Sequence, residues 1–169
     1  MKDTTFEVGS MDQGEFFVSM EVWERARNFK WEVISVYGPT DHRQSQDFLE
    51  ELLTRIGGAQ LQMVVGGDFN LLRTTQNKSN ARVDILSMQR FNDWVADLGL
   101  REINRVGERY TCTNRQASPT LSVLYWVFIP PDWELHFPSH LSGRSLELAQ
   151  ITIGCFYHRK MSDLDSLVQ

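Results

Sequence analysis

The sequence predicts an α/β fold in a single domain, and three observations carry that expectation. Amphipathic helical patterns at residues 40–56 and 84–98 are interspersed with short β-rich runs. The run at residues 61–65, LQMVV, is almost wholly apolar, the mark of a central strand covered on both faces. No linker, internal repeat or low-complexity tract divides the chain. Its 169 residues suffice to bury roughly two thirds of the unfolded surface around one core. With 41% hydrophobic and 23% charged residues, the composition is that of a globular protein rather than a disordered one.

Taken in order, residues 5–8 and 15–23 are β-rich, and the polar stretch 9–14 between them predicts a hairpin turning there. A third strand follows at 29–36, FKWEVISV. Phe29, Trp31, Val33 and Ser35 alternate there with Lys30, Glu32 and Ile34, so at least one face is buried. Tyr37-Gly38-Pro39 ends it, because proline cannot continue a central ladder. Residues 40–56 begin with Thr40 or Asp41 as N-cap, place Phe48, Leu49, Leu52, Leu53 and Ile56 on one face, and stop at Gly57-Gly58. After the apolar strand 61–65 the chain is expected to turn outward at Gly66-Gly67-Asp68. A polar loop, 71–83, leads to the helix 84–98. Ile85, Met88, Phe91, Val95 and Leu98 share its apolar face, and Gly99 closes it. Strands are expected at 108–113, 121–129 and 150–157, with a helical turn at 131–137.

The net charge of −5 argues against strong non-specific nucleic-acid binding, which depends on many Lys and Arg contacts to phosphates, and leaves room only for a local basic rim. The N-terminal residues lack an apolar core of signal-peptide length, and no apolar run approaches the roughly 20 residues of a membrane span, so a soluble, intracellular protein is expected. Cys112 and Cys155 lie far apart without metal-ligand spacing, and read as buried apolar fillers.

Chemistry concentrates at residues 63–70, MVVGGDFN. Asp68 and Asn70 occupy alternate positions just past a buried strand, so their side chains are expected to point the same way into a pocket at the sheet edge. A carboxylate there can hold a cation or orient water, and a carboxamide can donate to a phosphate oxygen. Gly66 and Gly67 permit close approach. The same residues also suit a plain Asp-Asn turn at a strand end.

VVGGDFN, together with VYGPTDHRQSQDFLEEL before it and QRFNDWVADLGLREI and RYTCTNRQASPTLSVL after it, resembles in order and spacing the endonuclease/exonuclease/phosphatase superfamily. Within it the similarity is to the endonuclease domain of plant LINE-type (non-LTR) retrotransposons. It covers most of residues 6–139, and 140–169 diverge. The resemblance implies a four-layer α/β sandwich of two packed mixed sheets flanked by helices, a Mg²⁺-dependent phosphodiesterase site, DNA as substrate, and the nucleus as a location. On this basis Asp68 matches an Asp that orients the attacking water and contributes to the metal site. Asn70 matches an Asn on the scissile phosphate, and Tyr37 a Tyr whose hydroxyl reaches it. Thr40 stands where many relatives carry Asn, though helix capping is the stronger role for it. Asn114 is a candidate substrate contact, with a turn at Asn114-Arg115 favoured. Arg73, Lys78 and Arg82 follow GDFN directly; a solvated loop with incidental charge is favoured over contact with DNA backbone.

The departures are as informative. The family's metal-binding Glu lies in a QET-like motif on an early strand, a region this chain is expected to lack. Glu7, Glu15, Glu21 and Glu24 match later segments and do not replace it. Where SVLDRVFIS is expected the chain reads SVLYWVFIP, with Tyr125 and Trp126 in the Asp and Arg positions. A closing SDH triplet is not found: residues 150–157 read QITIGCFY, and Ser162-Asp163 is followed by Leu164. His140 and His158 read as surface or packing residues. The abrupt change after Ser139 fits a shifted reading frame or mispredicted exon. The expectation is therefore a truncated, partly degenerate endonuclease domain that holds Mg²⁺ weakly through Asp68 and is weak or inactive. The alternatives are residual nuclease or phosphatase activity, and a domesticated module binding nucleic acid or protein.

Overall fold

The computed structural model describes residues 6–80, 82–103, 112–113 and 120–136. In chain order their strands are β1 (Phe6–Gln13), β2 (Phe17–Glu24), β3 (Phe29–Tyr37), β4 (Gln62–Asp68), β5 (Arg101–Glu102), β6 (Cys112–Thr113), β7 (Leu121–Ser122) and β8 (Tyr125–Ile129). The helices are α1 (Ser45–Gly57), α2 (Ile85–Asp97) and the short α3 (Trp133–His136). The fold is α/β, as predicted. One mixed six-stranded sheet runs β1-β2-β3-β4-β8-β5, and β6 and β7 form a separate two-stranded ribbon. A second large sheet, as the four-layer expectation requires, is not among the described residues.

Period-two burial divides the sheet into two faces. Ile34, Val36, Met63, Val65, Trp126 and Phe128 join Phe48, Leu52, Phe91 and Trp94 of α1 and α2 in one core cluster. Trp31, Val33, Val64, Val127 and Ile129 form a second cluster on the opposite face, closed by Trp133 of α3, whose ring meets Trp31 edge-on at 5.7 Å. The β3–α1–β4 crossover joins parallel strands, whereas β4 pairs antiparallel with β8.

Several sequence expectations shift for identifiable reasons. The hairpin turn predicted at 9–14 is instead mostly strand: β1 continues to Gln13 with a bulge between Val8 and Met11. Polar residues there belong to an edge strand exposed to water, which hydropathy reads as a turn. The real turn is short, and the Glu51 carboxylate of α1 anchors it by accepting from the Glu15 and Phe16 amides at 2.8 and 3.0 Å. In β3, Glu32 is buried rather than solvent-facing, because Arg55 of α1 reaches over it and also donates to Ser19. The strand predicted to stop at Val65 continues through Gly66 and Gly67 to Asp68.

Neither Thr40 nor Asp41 caps α1 itself. Asp41 caps a preceding 3-10 turn at His42–Gln44, accepting from the Arg43 amide, because the chain must first turn away from Pro39. Ser45 Oγ then ties into that turn through the His42 carbonyl. The predicted strand 121–129 divides between two sheets, since Val123 donates to Asn77 and the Leu124 carbonyl accepts from Phe69. The expected helix 84–98 stands, with Asp84 as N-cap and Gly99 left-handed at its end, but Ile85 is exposed rather than on the buried face.

Asp84 accepts from the Ser87 amide at 3.1 Å and the Ser87 hydroxyl at 2.7 Å, and these bonds, the hydroxyl first, hold its carboxyl below the usual carboxylate range. A depressed pKa stabilises the fold above the unfolded-state value, and that contribution is lost as pH falls through the lower folded value. Asp84→Ala should lower stability by about 1 kcal/mol near neutral pH, and Asp84→Asn should recover most of it. Denaturant melts across acid pH should show the Asp-to-Ala difference shrinking below the ordinary carboxylate pKa.

Candidate functional site

Parallel pairing of β3 with β4 sets Tyr37 opposite Asp68, and antiparallel pairing of β4 with β8 sets Tyr125 on its other side. Three side chains from three strands thus form one lateral row at the end of the sheet, all partly exposed. Counting back in twos along β3, β4 and β8 leads to Val33, Val64 and Val127, so the row stands on the face opposite α1 and α2.

One residue further on, the chain crosses to the other side. Phe69 is fully buried in the helix-side core, 5.1 Å from Phe91, 5.5 Å from Phe128 and 5.8 Å from Phe48 between ring centroids. Its amide donates to the Leu124 carbonyl at 2.9 Å. Asn70 then adopts φ +51°, the left-handed region in which Asn is tolerated. Its amide donates to Asp68 Oδ1 at 2.9 Å, and its Nδ2 donates to the Gly38 carbonyl at 2.7 Å. The Asp-Asn turn and the proposed chemistry therefore occupy the same residues. Asp68 and Asn70 are brought near each other by a turn, not by the strand alternation expected, because β4 ends at Asp68.

Glycine is demanded at two points. A Cβ on Gly38 would meet the Phe69 carbonyl, and one on Gly67, at φ +141°, would meet the Val36 backbone. Both glycines let the 37–39 turn and the GDFN turn lie against each other, and Gly38 donates to the Asp68 carbonyl at 2.6 Å.

The neighbouring charges are largely committed to structure. Arg73 pairs with Glu102 at 2.6 Å and exchanges hydrogen bonds with Asn92, so it is a loop anchor rather than the incidental solvated charge expected. Lys78 Nζ donates to the Arg82 carbonyl at 2.6 Å. The Asp41 carboxyl, held at about 2 chiefly by the Arg43 guanidinium, stays ionised at neutral pH. Trp126 is buried on the helix side and donates from Nε1 to the Leu71 carbonyl, so it faces away from the row. Asn114, His140, His158 and Cys155 lie outside the described residues.

Among the described residues no group of three or more His, Cys, Asp or Glu comes together. Mg²⁺ wants near-octahedral oxygen coordination, usually through one or two carboxylates with several waters. In this row Asp68 is the sole carboxylate, one of its oxygens accepts the Asn70 amide, and both lateral neighbours are phenols. The described donor set does not fit a resident Mg²⁺ site.

Comparison with protein-family models and with curated proteins finds no match. Among solved structures the chain is similar to the endonuclease domain of TRAS1, a telomere-specific non-LTR retrotransposon, at 18% identity over 79% of this chain and 58% of that one, with a TM-score of 0.58. The chain has the fold of that endonuclease domain. It spans 58% of that domain's length. Looser matches are the human Nocturnin catalytic domain with bound sulfate (15% identity, 78% of this chain and 50% of that one, TM-score 0.42) and an endonuclease/exonuclease/phosphatase family protein from Bacteroides thetaiotaomicron (12%, 78% and 53%, TM-score 0.47).

Sequence reading missed the carbonyls of Gly38 and Leu124 as the groups that hold GDFN in place. The Asp-x-Asn spacing was the available signal for the turn, and nothing local marks its distant partners. Phe69→Ala should cost about 3–5 kcal/mol in a denaturant melt, with Phe69→Leu costing clearly less. A cost below about 1 kcal/mol for the alanine would show that the ring does not pin the turn.

Proposed function

We propose that this chain is the remnant of a DNA endonuclease domain of a LINE-type retrotransposon, a site that retains groups for recognising a phosphodiester but hydrolyses it weakly or not at all. The carrying observation is the in-register row Tyr37, Asp68, Tyr125, which sets a tyrosine directly beside Asp68 where the resemblance expects a second carboxylate. The endonuclease fold supports the substrate class. In this reading the Tyr37 hydroxyl and the second N–H of the Asn70 amide donate to phosphate oxygens. The first amide N–H stays on the Gly38 carbonyl. Asp68, oriented by the Asn70 amide, accepts a proton from the attacking water.

Magnitudes set the limit on activity. A positioned general base contributes about 10²–10⁴-fold, far short of the roughly 10⁶–10¹⁷-fold that enzymes supply. In the parent enzymes Mg²⁺ supplies charge stabilisation at the phosphate. A phenol at position 125 offers a weaker and protonated oxygen in place of a carboxylate.

Supercoiled plasmid incubated with Mg²⁺ should be nicked by the wild-type chain at most about tenfold faster than by Asp68→Ala; Asp68-dependent nicking more than about 10⁴-fold above the alanine would overturn the remnant reading. Thermal melting provides a separate check. Mg²⁺ should leave the wild-type midpoint unchanged and raise that of Tyr125→Asp, which sets two carboxylates side by side. An equal response of both proteins would refute the assignment of position 125.

A further inference from the structure

On the face of the sheet opposite the Tyr37–Asp68–Tyr125 row, α1 and α2 lie over the core, and a groove of about 420 Å³ runs between them. Positions 46, 49, 50 and 53 of α1 and 90, 93, 94 and 97 of α2 line it. Each helix thus contributes residues i, i+3, i+4 and i+7, so the groove follows both helices for two turns, roughly 10 Å. Leu49 and Trp94 reach it from the core cluster, and Leu53, 42% exposed, adds an apolar side chain that stands in water.

The rim is acidic. Glu50, Asp93 and Asp97 accompany a single cation, Arg90. Among the described residues none of these three carboxylates enters an ion pair. Asp93 and Asp97 stand four apart on α2, the spacing at which like charges repel. Asp97 is also the last residue of α2, whose final turn carries no basic residue, so its charge meets the negative end of the helix dipole. By contrast, α1 carries Arg55 in its last turn. Both unfavourable placements on α2 border the groove, and a cation arriving from outside relieves both.

Charge and direction decide among occupants. A second copy laid groove to groove would set carboxylates against carboxylates, and the same rim repels nucleic acid or an anionic membrane. An extended peptide finds no free backbone edge to pair with, because both walls are helices. A helix satisfies its own backbone and lays one apolar stripe along such a groove. From this arrangement we infer that the α1–α2 groove docks a basic amphipathic helix of a partner protein. Its apolar stripe rests on Leu49, Leu53 and Trp94, and its Lys or Arg residues lie beside Glu50, Asp93 and Asp97. Docking there leaves the Tyr37–Asp68–Tyr125 row open on the other face, so the inference is independent of what the row does.

Fluorescence anisotropy with fluorescein-labelled synthetic helices and the full chain tests it. A Leu/Lys helix with leucines at i, i+3, i+4 and i+7 should bind, and more weakly as salt rises. A scrambled peptide of the same composition, which lacks the stripe, should bind at least about tenfold more weakly, and a Leu/Glu helix with the same stripe should not bind. Leu53→Gln, at an exposed position, should weaken the Leu/Lys helix about tenfold. Asp93→Asn combined with Asp97→Asn should do the same, each lost pair accounting for a few-fold. Asp47→Asn, a carboxylate of α1 outside the groove, should change affinity less than about twofold. If the scrambled peptide binds as tightly, or Leu53→Gln changes nothing, the attraction is to net charge alone and the docking site is overturned. Tight binding of the Leu/Glu helix, or no binding of any peptide, overturns it equally. A dimer seen by light scattering without peptide, and lost in Leu53→Gln, would assign the groove to a second copy and overturn the basic partner.

Discussion

Everything at the working end of this protein depends on where the ring of Phe69 goes. Flanked by Asp68 and Asn70, it leaves the end of β4 and enters an aromatic cluster of Phe48, Phe91, Trp94 and Phe128, with no exposed surface remaining. Burying a ring of that size is among the larger single contributions a core residue makes. Because the ring is committed to one face of the sheet, the carboxylate before it is committed to the other. The backbone follows: Gly38 donates to Asp68, Phe69 donates to Leu124, and Asn70 reaches back to Gly38. Three distant segments are joined at one short turn.

That junction explains why the glycines and the asparagine are what they are. Gly38 and Gly67 sit where any side chain would collide with backbone, and Asn70 adopts the left-handed conformation that most residues resist. The residues that make GDFN look catalytic are also the ones the turn requires for its own geometry. Structural demand and chemistry are not alternatives here. A carboxylate held by a local amide and placed between two strands is a preorganised one, whatever it goes on to bind.

The distribution of charge follows the same economy. Arg55 lies over Glu32 between α1 and the sheet, Arg73 holds the post-GDFN loop to Glu102 and Asn92, and Arg25 pairs with Glu7 on the edge hairpin. Cations that a charge count credits toward nucleic acid are engaged with the protein's own carboxylates. With a net charge of −5, the phosphodiester recognition proposed above would fall to a few neutral donors and to local placement rather than to a basic surface. Among the described residues no helix is long and apolar enough to cross a membrane.

By itself the sequence determined the class of fold, the two principal helices, and the position of the GDFN turn. Each of these is written in local periodicity, in caps such as Asp84 and Gly99, or in a run short enough to read directly. The second half of the edge strand β1, read as a turn, was hidden because its residues face water, and the buried Glu32 because its partner Arg55 lies a helix away. Only the tertiary structure decided that Tyr37, Asp68 and Tyr125 form a single row, that Trp126 faces the opposite core, and that Arg73 serves the loop. The reason is register: side chains alternate faces every residue, so which distant residues become neighbours depends on how strands are paired, and pairing is set by burial summed over the whole sheet.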